Sequence, residues 1–252
     1  MRQFLSLEGK KAIITGAAKG IGKSIAIVFA QLGAESTLVD VDQAGLEETV
    51  GEIRNQGQKA YPVVADITDI KSIEKLVEES IDKMGRIDIL VNNAGIALTN
   101  PAEKVTEEQW DKTMAVNLKA VFFLSQYVGR HMIQRRYGKI VNIASQTGIV
   151  AAEEHAAYAA SKAGVVGLTK VLALEWGKYN INVNAVAPTV IMTPMGKKVW
   201  SGEKGEKFLQ KIPLGRFGEP EDVAHLVAFL SSDLANMMTG ATVMIDGGYT
   251  AQ

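Results

Sequence analysis

Short apolar runs alternate along the chain with longer segments in which apolar residues recur at helical spacing. The runs are apolar throughout, a pattern typical of strands that are buried on both faces of a parallel sheet. They are "KAIITG", "STLVD", "AYPVVAD", "IDILVNNAG", "KIVNIAS", "INVNAVAP" and "ATVMIDGG". The segments with helical spacing cover residues 20–33, 42–57, 69–84, about 105–135, 155–179 and about 219–231. Strands and helices therefore take turns from one end of the chain to the other.

This alternation predicts one α/β domain over residues 1–252, built on a doubly wound, parallel, seven-stranded sheet with helices on both faces. No linker rich in Pro, Ser or charge divides the chain of 252 residues. In doubly wound folds, ligands bind beyond the carboxyl ends of the strands. The residues that directly follow each predicted strand are therefore the candidate site residues.

Charge and composition narrow the class of partner. With 27 basic and 28 acidic residues, the chain has no electrostatic attraction for nucleic acid or for an anionic membrane. It contains no cysteine, and its three histidines have no metal-ligand spacing. Neither a signal peptide nor a run of ~18 apolar residues is present. We expect a cytoplasmic protein that acts on a small molecule and binds no metal, nucleic acid or membrane.

A glycine-rich segment, "TGAAKGIG" at residues 15–22, follows the first predicted strand. Gly16, Gly20 and Gly22 allow a tight turn and a close approach of the backbone to a pyrophosphate. The helix that begins there directs its N–H groups and its dipole at anionic oxygens. A plain strand-to-helix turn would have the same glycines, so this segment alone does not establish a dinucleotide site.

Asp40 ends the second predicted strand, about 20 residues after the glycines. A carboxylate there can accept hydrogen bonds from the ribose hydroxyls of a dinucleotide, and it would repel a 2′-phosphate. The cofactor prediction is therefore NAD, with NADP less favoured. Lys19 lies in the glycine segment and could offer a cation to a 2′-phosphate, or it could point to solvent.

The later strand ends carry further polar residues. Asp66 follows the third strand, where it could contact the adenine or cap a helix. "NNAG" at residues 92–95 follows the fourth strand, and Ser145 follows the fifth. Tyr158 and Lys162 are four residues apart, which places them on one face of a helix. Each feature alone has a structural explanation: a turn, or a half-buried helix whose polar tips reach water.

The joint pattern resembles the short-chain dehydrogenase/reductase family over nearly the whole chain. It comprises T-G-x-x-x-G-I-G at 15–22, N-N-A-G at 92–95, Asn117, Ser145 thirteen residues before the tyrosine, and Y-x-x-x-K at 158–162. The resemblance implies a Rossmann-type fold and hydride transfer between a nicotinamide and an alcohol carbon. The cofactor residues that it implies are Gly16, Lys19, Gly20, Ile21, Gly22, Asp40, Asp66, Ile67, Asn92, Gly95, Tyr158, Lys162, Ile191 and Thr193.

Four catalytic roles follow from the same resemblance. Tyr158 transfers the proton of the alcohol, and the Lys162 ammonium together with the oxidised nicotinamide lowers the tyrosine pKa from about 10. Ser145 hydrogen-bonds the substrate oxygen as charge develops on it. Asn117 holds a water in a proton relay with Lys162; alternatively it is a buried asparagine that binds backbone.

The substrate prediction rests on Gln146 and His155, which together with Ser145 and Tyr158 could hydrogen-bond several hydroxyl groups. Thr189 stands where most of the family has glycine, and the chain resembles the xylulose reductases and related polyol dehydrogenases. NAD use favours oxidation of a polyol to a ketose. The segment from about 193 to 211 is predicted to be a mobile lid.

Two alternatives remain open in the sequence. A 3-oxoacyl-carrier-protein reductase, or another NAD(P)H-dependent carbonyl reductase, would require a basic docking surface, which Arg130, Arg135, Arg136 and Lys139 could form. A catalytically silent nucleotide-binding scaffold is the second. The resemblance also implies a homotetramer, built from the helices at about 105–135 and 155–179 and from the C-terminal segment.

Overall fold

The computed structural model describes residues 5–251, which form one seven-stranded parallel sheet. The order of the strands across the sheet is β3-β2-β1-β4-β5-β6-β7. All seven strands that the apolar runs predict are present. They are β1 (Lys11–Thr15), β2 (Glu35–Asp40), β3 (Ala60–Val64), β4 (Ile89–Asn92), β5 (Gly138–Ile143), β6 (Ile181–Pro188) and β7 (Thr242–Ile245).

Helices connect the strands and cover both faces of the sheet. They are α1 (Gly20–Gln31), α2 (Gln43–Asn55), α3 (Ile70–Met84), α4 (Glu107–Met114), α5 (Ala120–Arg135), α6 (Ala156–Trp176), α7 (Pro194–Val199), α8 (Glu203–Leu209) and α9 (Pro220–Ser231). Where the sequence predicts one helix over about 105–135, a π-helical turn at Ala115–Lys119 separates α4 from α5. Such turns are frequent at functional sites, and this one contains Asn117.

The central strands are apolar throughout because each face of the sheet has its own core. Successive side chains of a strand point to opposite faces. In β1, Ile14 packs in a core with α1, α2 and α9, whereas Ile13 packs in a second core with α3, α5 and the end of α6. A strand with polar residues at alternate positions would leave one of these cores unfilled.

The order of the strands places the ligand crevice. The strand β1 lies between β2 and β4, so the connections that leave β1 and β4 run to opposite sides of the sheet. In doubly wound folds the crevice opens at this reversal, beyond the carboxyl ends of the strands. The glycine segment after β1 and "NNAG" after β4 therefore lie on its two sides.

One helical stretch in the described part of the chain, Ala156–Tyr179, is long and apolar enough to cross a membrane by length and composition alone. This stretch contains α6, which packs on β6 and carries Tyr158 and Lys162. Core helices of soluble proteins pass the same test, so the finding by itself is weak evidence of a membrane span.

Candidate active site

The cavity at the carboxyl edge of the sheet has a volume of about 1280 Å³. Residues that follow six different strands line it, together with residues of α6, α7 and the connection after α7. Most of the predicted site residues lie on its wall: Gly16, Lys19, Gly20, Ile21, Asp40, Asp66, Ile67, Gly95, Ser145, His155, Tyr158, Lys162, Ile191 and Thr193. The fold therefore brings the predicted cofactor residues and the predicted catalytic residues to one cavity.

The glycine turn is held close to the chain that follows β4. Gly16 and Gly20 have left-handed backbone conformations, with φ of +67° and +59°. A Cβ at Gly16 would lie 2.8 Å from Asn93 Nδ2, which donates to the backbone oxygen of Thr15 at 2.9 Å. Gly22 is not among the described residues of the cavity wall. A Cβ there would overlap the Gly16 carbonyl, so this glycine lets α1 pack against the turn, and its cofactor contact stays a prediction.

Asp40 ends β2 at the cavity wall, as predicted. Its Oδ2 accepts a hydrogen bond from the Ala18 N–H at 3.1 Å, and its Oδ1 accepts one from the Asp42 N–H at 3.1 Å. These two bonds connect the end of β2 to the glycine turn. A carboxylate oxygen can accept more than one hydrogen bond, so both oxygens keep the capacity to accept ribose hydroxyls.

Lys19, the second candidate for cofactor selection, is paired. Its Nζ lies 3.5 Å from Oδ2 of Asp42, and at the cavity wall Lys19 is exposed whereas Asp42 is half-buried. The sequence predicts a lysine that points to solvent or reaches a 2′-phosphate, and the pairing with Asp42 is not among those alternatives. Asp42 stands only two residues after Asp40, and its position before α2 is the signal that could have identified it.

Asp66 follows β3 and lines the cavity, but it is not the cap of α3. That cap is Asp69, whose side chain accepts from the Lys71 N–H at 3.0 Å. Asp66 instead accepts from the Thr68 N–H at 2.9 Å and from the Thr68 hydroxyl at 2.7 Å. The capping alternative is therefore wrong, because Asp69 is the residue that stands directly before the helix.

Asn92 is buried in the sheet, where its Nδ2 donates to Ser125 Oγ at 3.0 Å and to Asn142 Oδ1 at 2.8 Å. Asn93, not Asn92, is among the described residues of the cavity wall, and a cofactor contact of Asn92 stays a prediction. Successive residues point to opposite sides of an extended chain, which explains the shift by one position. Thr15 completes this corner, since its Oγ1 accepts from the Asn93 N–H at 3.1 Å.

Ser145, Tyr158 and Lys162 line the same cavity. Lys162 is buried, its Nζ donates to the Ile143 oxygen at 2.7 Å, and it lies 5.8 Å from the centre of the Tyr158 ring. Ser145 accepts from the Thr147 N–H at 3.1 Å and hydrogen-bonds the tyrosine. These contacts fix the orientation of all three side chains before any substrate binds.

Burial acts on both ionisable groups of this pair. It lowers the pKa of the Lys162 ammonium to about 8. Burial also raises the pKa of Tyr158 above its ordinary value, against the hydrogen bond of Ser145, which lowers it. The protein alone thus shifts the tyrosine pKa upward, because desolvation of the phenolate outweighs the hydrogen bond that favours it. The predicted lowering includes the charge of the oxidised nicotinamide and stays a prediction.

Asn117 lies in the π-helical turn and is fully buried. Its Oδ1 accepts from the Ile96 N–H at 2.9 Å, while its Nδ2 donates to the Ile96 oxygen at 2.9 Å and to Ser161 Oγ at 3.1 Å. A Cβ at Gly95 would lie 3.4 Å from this Oδ1 and 3.5 Å from Lys162 Nζ. The side chain is thus adjacent to the lysine, and its own bonds fit the backbone-binding alternative.

Of the two predicted substrate residues His155 and Gln146, only His155 is among the described residues of the cavity wall. His155 lines the cavity at the N-terminus of α6, and its ring lies 5.8 Å from the Tyr158 ring. Gln146 is buried beside Ser145 but is not among the described residues of the cavity wall, and its Oε1 has no hydrogen-bond partner. Thr189 does line the cavity, with its buried hydroxyl oxygen also unpartnered.

The predicted lid segment forms two short helices, α7 and α8, rather than a loop. Thr193 caps α7 by accepting from the Gly196 N–H at 3.0 Å, and a Cβ at Gly20 would lie 3.0 Å from its methyl group. Trp200 and Lys204 also line the cavity. The segment therefore forms part of the cavity wall, and its first residue lies next to the glycine turn.

The residues present fit a dinucleotide. The left-handed glycines leave the space that a pyrophosphate needs next to the N-terminus of α1, and Asp40 offers a carboxylate at the end of β2. No cluster of His, Asp and Glu that could hold a metal occurs between residues 5 and 251.

Comparisons with known proteins agree with this geometry. Residues 16–250 match the family described as enoyl-(acyl carrier protein) reductase. The chain is 49% identical to an NAD-dependent glycerol dehydrogenase of Listeria innocua, covering 97% of this chain and 95% of the relative. It is 43% identical to a D-threitol dehydrogenase of Mycolicibacterium smegmatis, covering 97% and 94%. It is also 46% identical to a 3-oxoacyl-acyl-carrier-protein reductase of Thermotoga maritima, covering 97% and 99%.

A solved structure, that of levodione reductase, matches the fold with a TM-score of 0.94 at 37% identity, covering 97% of this chain and 98% of that one. The chain therefore belongs to the short-chain dehydrogenase/reductase family and is an oxidoreductase of the NAD(P)-using type. Its resemblance to the polyol dehydrogenases within that family is confirmed by the glycerol and threitol enzymes.

Proposed function

We propose that the protein is an NAD-dependent dehydrogenase that oxidises a secondary alcohol of a small polyol to a ketose. The observation that carries the proposal is that Asp40, the glycine turn and the Ser145/Tyr158/Lys162 group line one cavity. The NAD-dependent glycerol dehydrogenase at 49% identity supports both the cofactor and the substrate class. Oxidation of sugar-derived polyols in the cytoplasm is part of the same proposal.

The chain's own residues perform the proton chemistry. When bound, oxidised nicotinamide supplies the hydride acceptor. Tyr158 accepts the hydroxyl proton of the substrate, and the Ser145 hydroxyl holds the substrate oxygen while charge develops on it. The Lys162 ammonium stabilises the phenolate that Tyr158 needs in order to act as a base. Because all three side chains are held by the contacts described above, little reorganisation is required at the reacting atoms.

Polar groups at the cavity wall favour a hydroxylated substrate. The Thr189 hydroxyl is buried without a partner, and His155 and Thr99 line the same cavity. A buried hydroxyl without a hydrogen bond is costly, and a substrate hydroxyl would satisfy it. We propose Thr189, in addition to His155, as a substrate residue.

Two of the four basic residues that could dock an acyl carrier, Lys139 and Arg135, are engaged within the protein. Lys139 is buried and donates to Asn182 and Asn236, so its charge is not available to an acidic carrier. Arg135 is engaged with Asp88 and with the Ile87 oxygen. The carrier-protein reductase relative still makes this activity the second candidate.

The experiment is a substrate panel. The unmodified protein is assayed with glycerol, C4 to C6 polyols and their ketoses, and with a 3-oxoacyl thioester, each with NAD(H) and NADP(H). The proposal expects the largest kcat/KM for a polyol with NAD. A larger value for the thioester with NADPH would replace it with the carrier-protein alternative, and no turnover of any of them would support a silent nucleotide-binding scaffold.

The pH profile of polyol oxidation should depend on Lys162. Lys162 and Tyr158 titrate as a coupled pair, which loses its first proton near the lysine pKa of about 8. Part of the singly deprotonated pair holds the lysine as ammonium and the tyrosine as phenolate, and this is the reactive form. We expect kcat/KM to rise with pH up to about 8 and to level off above it. In Lys162→Arg the cation stays protonated. The first proton must then come from Tyr158, and the rise moves to higher pH; a rise that stays in place would contradict this role.

We also propose a homotetramer. On α6, Val171 and Leu174 are 51% and 85% exposed, and they continue a row of exposed small residues at Ala160, Ala163 and Gly167. Exposed apolar patches of this kind mark interfaces between subunits. Light scattering at micromolar concentration is expected to give a particle of four chains, and Leu174→Lys should dissociate it, whereas the neighbouring Glu175→Lys should not. A monomer in the unmodified protein would overturn the proposal.

The segment 193–211 is proposed to act as a mobile lid. Thr193 and Trp200 line the cavity, so movement of α7 and α8 would open it. An aromatic group anchors the segment at its far end, where Phe208 lies 4.7 Å from Trp200 and 5.1 Å from Tyr249 between ring centres.

A further inference from the structure

The end of the cavity next to β2 carries a pair of opposite charges. Lys19 comes from the glycine turn and Asp42 from the residue before α2, and their charged atoms are 3.5 Å apart. The second oxygen of Asp42 accepts from the Gly45 N–H at 3.1 Å, which fixes this carboxylate at the N-terminus of α2. Asp40 lies on the same stretch of wall.

A lysine at this place is the group that would favour NADP. In folds of this type the ribose of the dinucleotide lies at the end of the second strand, and a cation nearby accommodates a 2′-phosphate. Lys19 has the charge and the exposure for that contact. In the structure, however, its partner is a carboxylate that the helix cap holds in place, so the lysine would have to leave Asp42 in order to bind the phosphate.

We propose that Asp42 is a second residue that selects NAD over NADP. It pairs with Lys19, the cation of the glycine turn on the same cavity wall as Asp40, and its own charge adds to the repulsion of a 2′-phosphate. Asp40 then acts on the ribose directly, while Asp42 acts mainly through Lys19. This inference rests on the proposed use of NAD.

The test is a double-mutant cycle on Asp42 and Lys19, read as dissociation constants of NAD⁺ and NADP⁺ by calorimetry at one ionic strength, without substrate. Asp42→Asn keeps the helix cap, since Asn caps as well as Asp. We expect it to tighten NADP⁺ binding about twofold to fivefold, the upper part of the range of an exposed ion pair, and to leave NAD⁺ binding unchanged within error. Lys19→Gln should remove that gain when it is combined with Asp42→Asn but change NADP⁺ binding little when Asp42 is present.

Glu48→Gln is the matched control. It removes one carboxylate from the neighbouring Lys23 pair, between α1 and α2, where Lys23 Nζ lies 2.8 Å from Glu48. This pair does not line the cavity, so any general effect of net charge on NADP⁺ binding appears in this variant. A gain in Glu48→Gln equal to that in Asp42→Asn would overturn the proposal.

Two other results would also overturn it: unchanged NADP⁺ binding in Asp42→Asn, or a loss of NADP⁺ binding in Lys19→Gln with Asp42 intact. Failure of the proposed function has a different signature. The unmodified protein would then bind NADP⁺ more tightly than NAD⁺, whatever the variants do.

Discussion

Phenylalanine at position 158 is expected to lower kcat for polyol oxidation by about a hundredfold or more, while NAD⁺ binds nearly as before. The substitution removes only the hydroxyl that takes the substrate proton, and a general base of this kind contributes ~10²-fold or more. The ring still fills its half-buried position beside Ser145 and His155. The measurements are kcat from initial rates and the NAD⁺ dissociation constant by fluorescence or calorimetry.

Tyr179→Phe is the control for this variant. Tyr179 lies in the 3₁₀ turn Gly177–Tyr179, which directly follows α6. The substitution therefore removes a phenolic hydroxyl at the opposite end of the helical stretch from Tyr158. Its kcat should equal that of the unmodified protein. If Tyr158→Phe retains more than about a tenth of the rate, the proton acceptor is another group and the proposed mechanism is wrong.

Loss of the Asp40 carboxylate should reverse much of the cofactor preference. Charge-assisted hydrogen bonds to two ribose hydroxyls contribute on the order of 1.5 to 3 kcal/mol, and against NADP the same charge repels a phosphate. The unmodified protein should therefore prefer NAD by at least about a hundredfold in kcat/KM. In Asp40→Ser we expect NAD to weaken and NADP to improve. The ratio of kcat/KM for the two cofactors at one polyol concentration is the measurement.

Asp40→Asn separates the charge from the shape. The amide keeps an oxygen that can accept from one of the two N–H groups, those of Ala18 and Asp42, that Asp40 binds. If repulsion dominates selection, Asp40→Asn improves NADP almost as much as Asp40→Ser. If neither variant changes the ratio, Asp40 does not select the cofactor.

The alternation of apolar and helical segments was sufficient to predict the fold. Each strand is apolar throughout because both of its faces are buried, and this constraint is visible in a single sequence. The candidate site was predictable for the same reason, since residues that follow parallel strands meet at one edge of the sheet. Gly16, Asp40, Ser145, Tyr158 and Lys162 all line the cavity there.

The direction of each side chain at that edge depended on the tertiary structure. Asn92 and Asn93 are adjacent and identical in type, yet one bonds Ser125 and Asn142 inside the sheet and the other holds the glycine turn. The direction of each side chain depends on hydrogen-bond partners from distant parts of the chain, and the local sequence does not specify those partners.

Residue types and their order along the chain thus determined the class of fold, the edge of the sheet at which chemistry occurs and the residues that reach it. Only the packed structure decided the electrostatics of those residues. Burial shifts the pKa of Tyr158 up and that of Lys162 down to about 8, and Lys19 forms an ion pair with Asp42. Desolvation and pairing depend on which atoms surround a group in three dimensions, and spacing along the chain does not specify them.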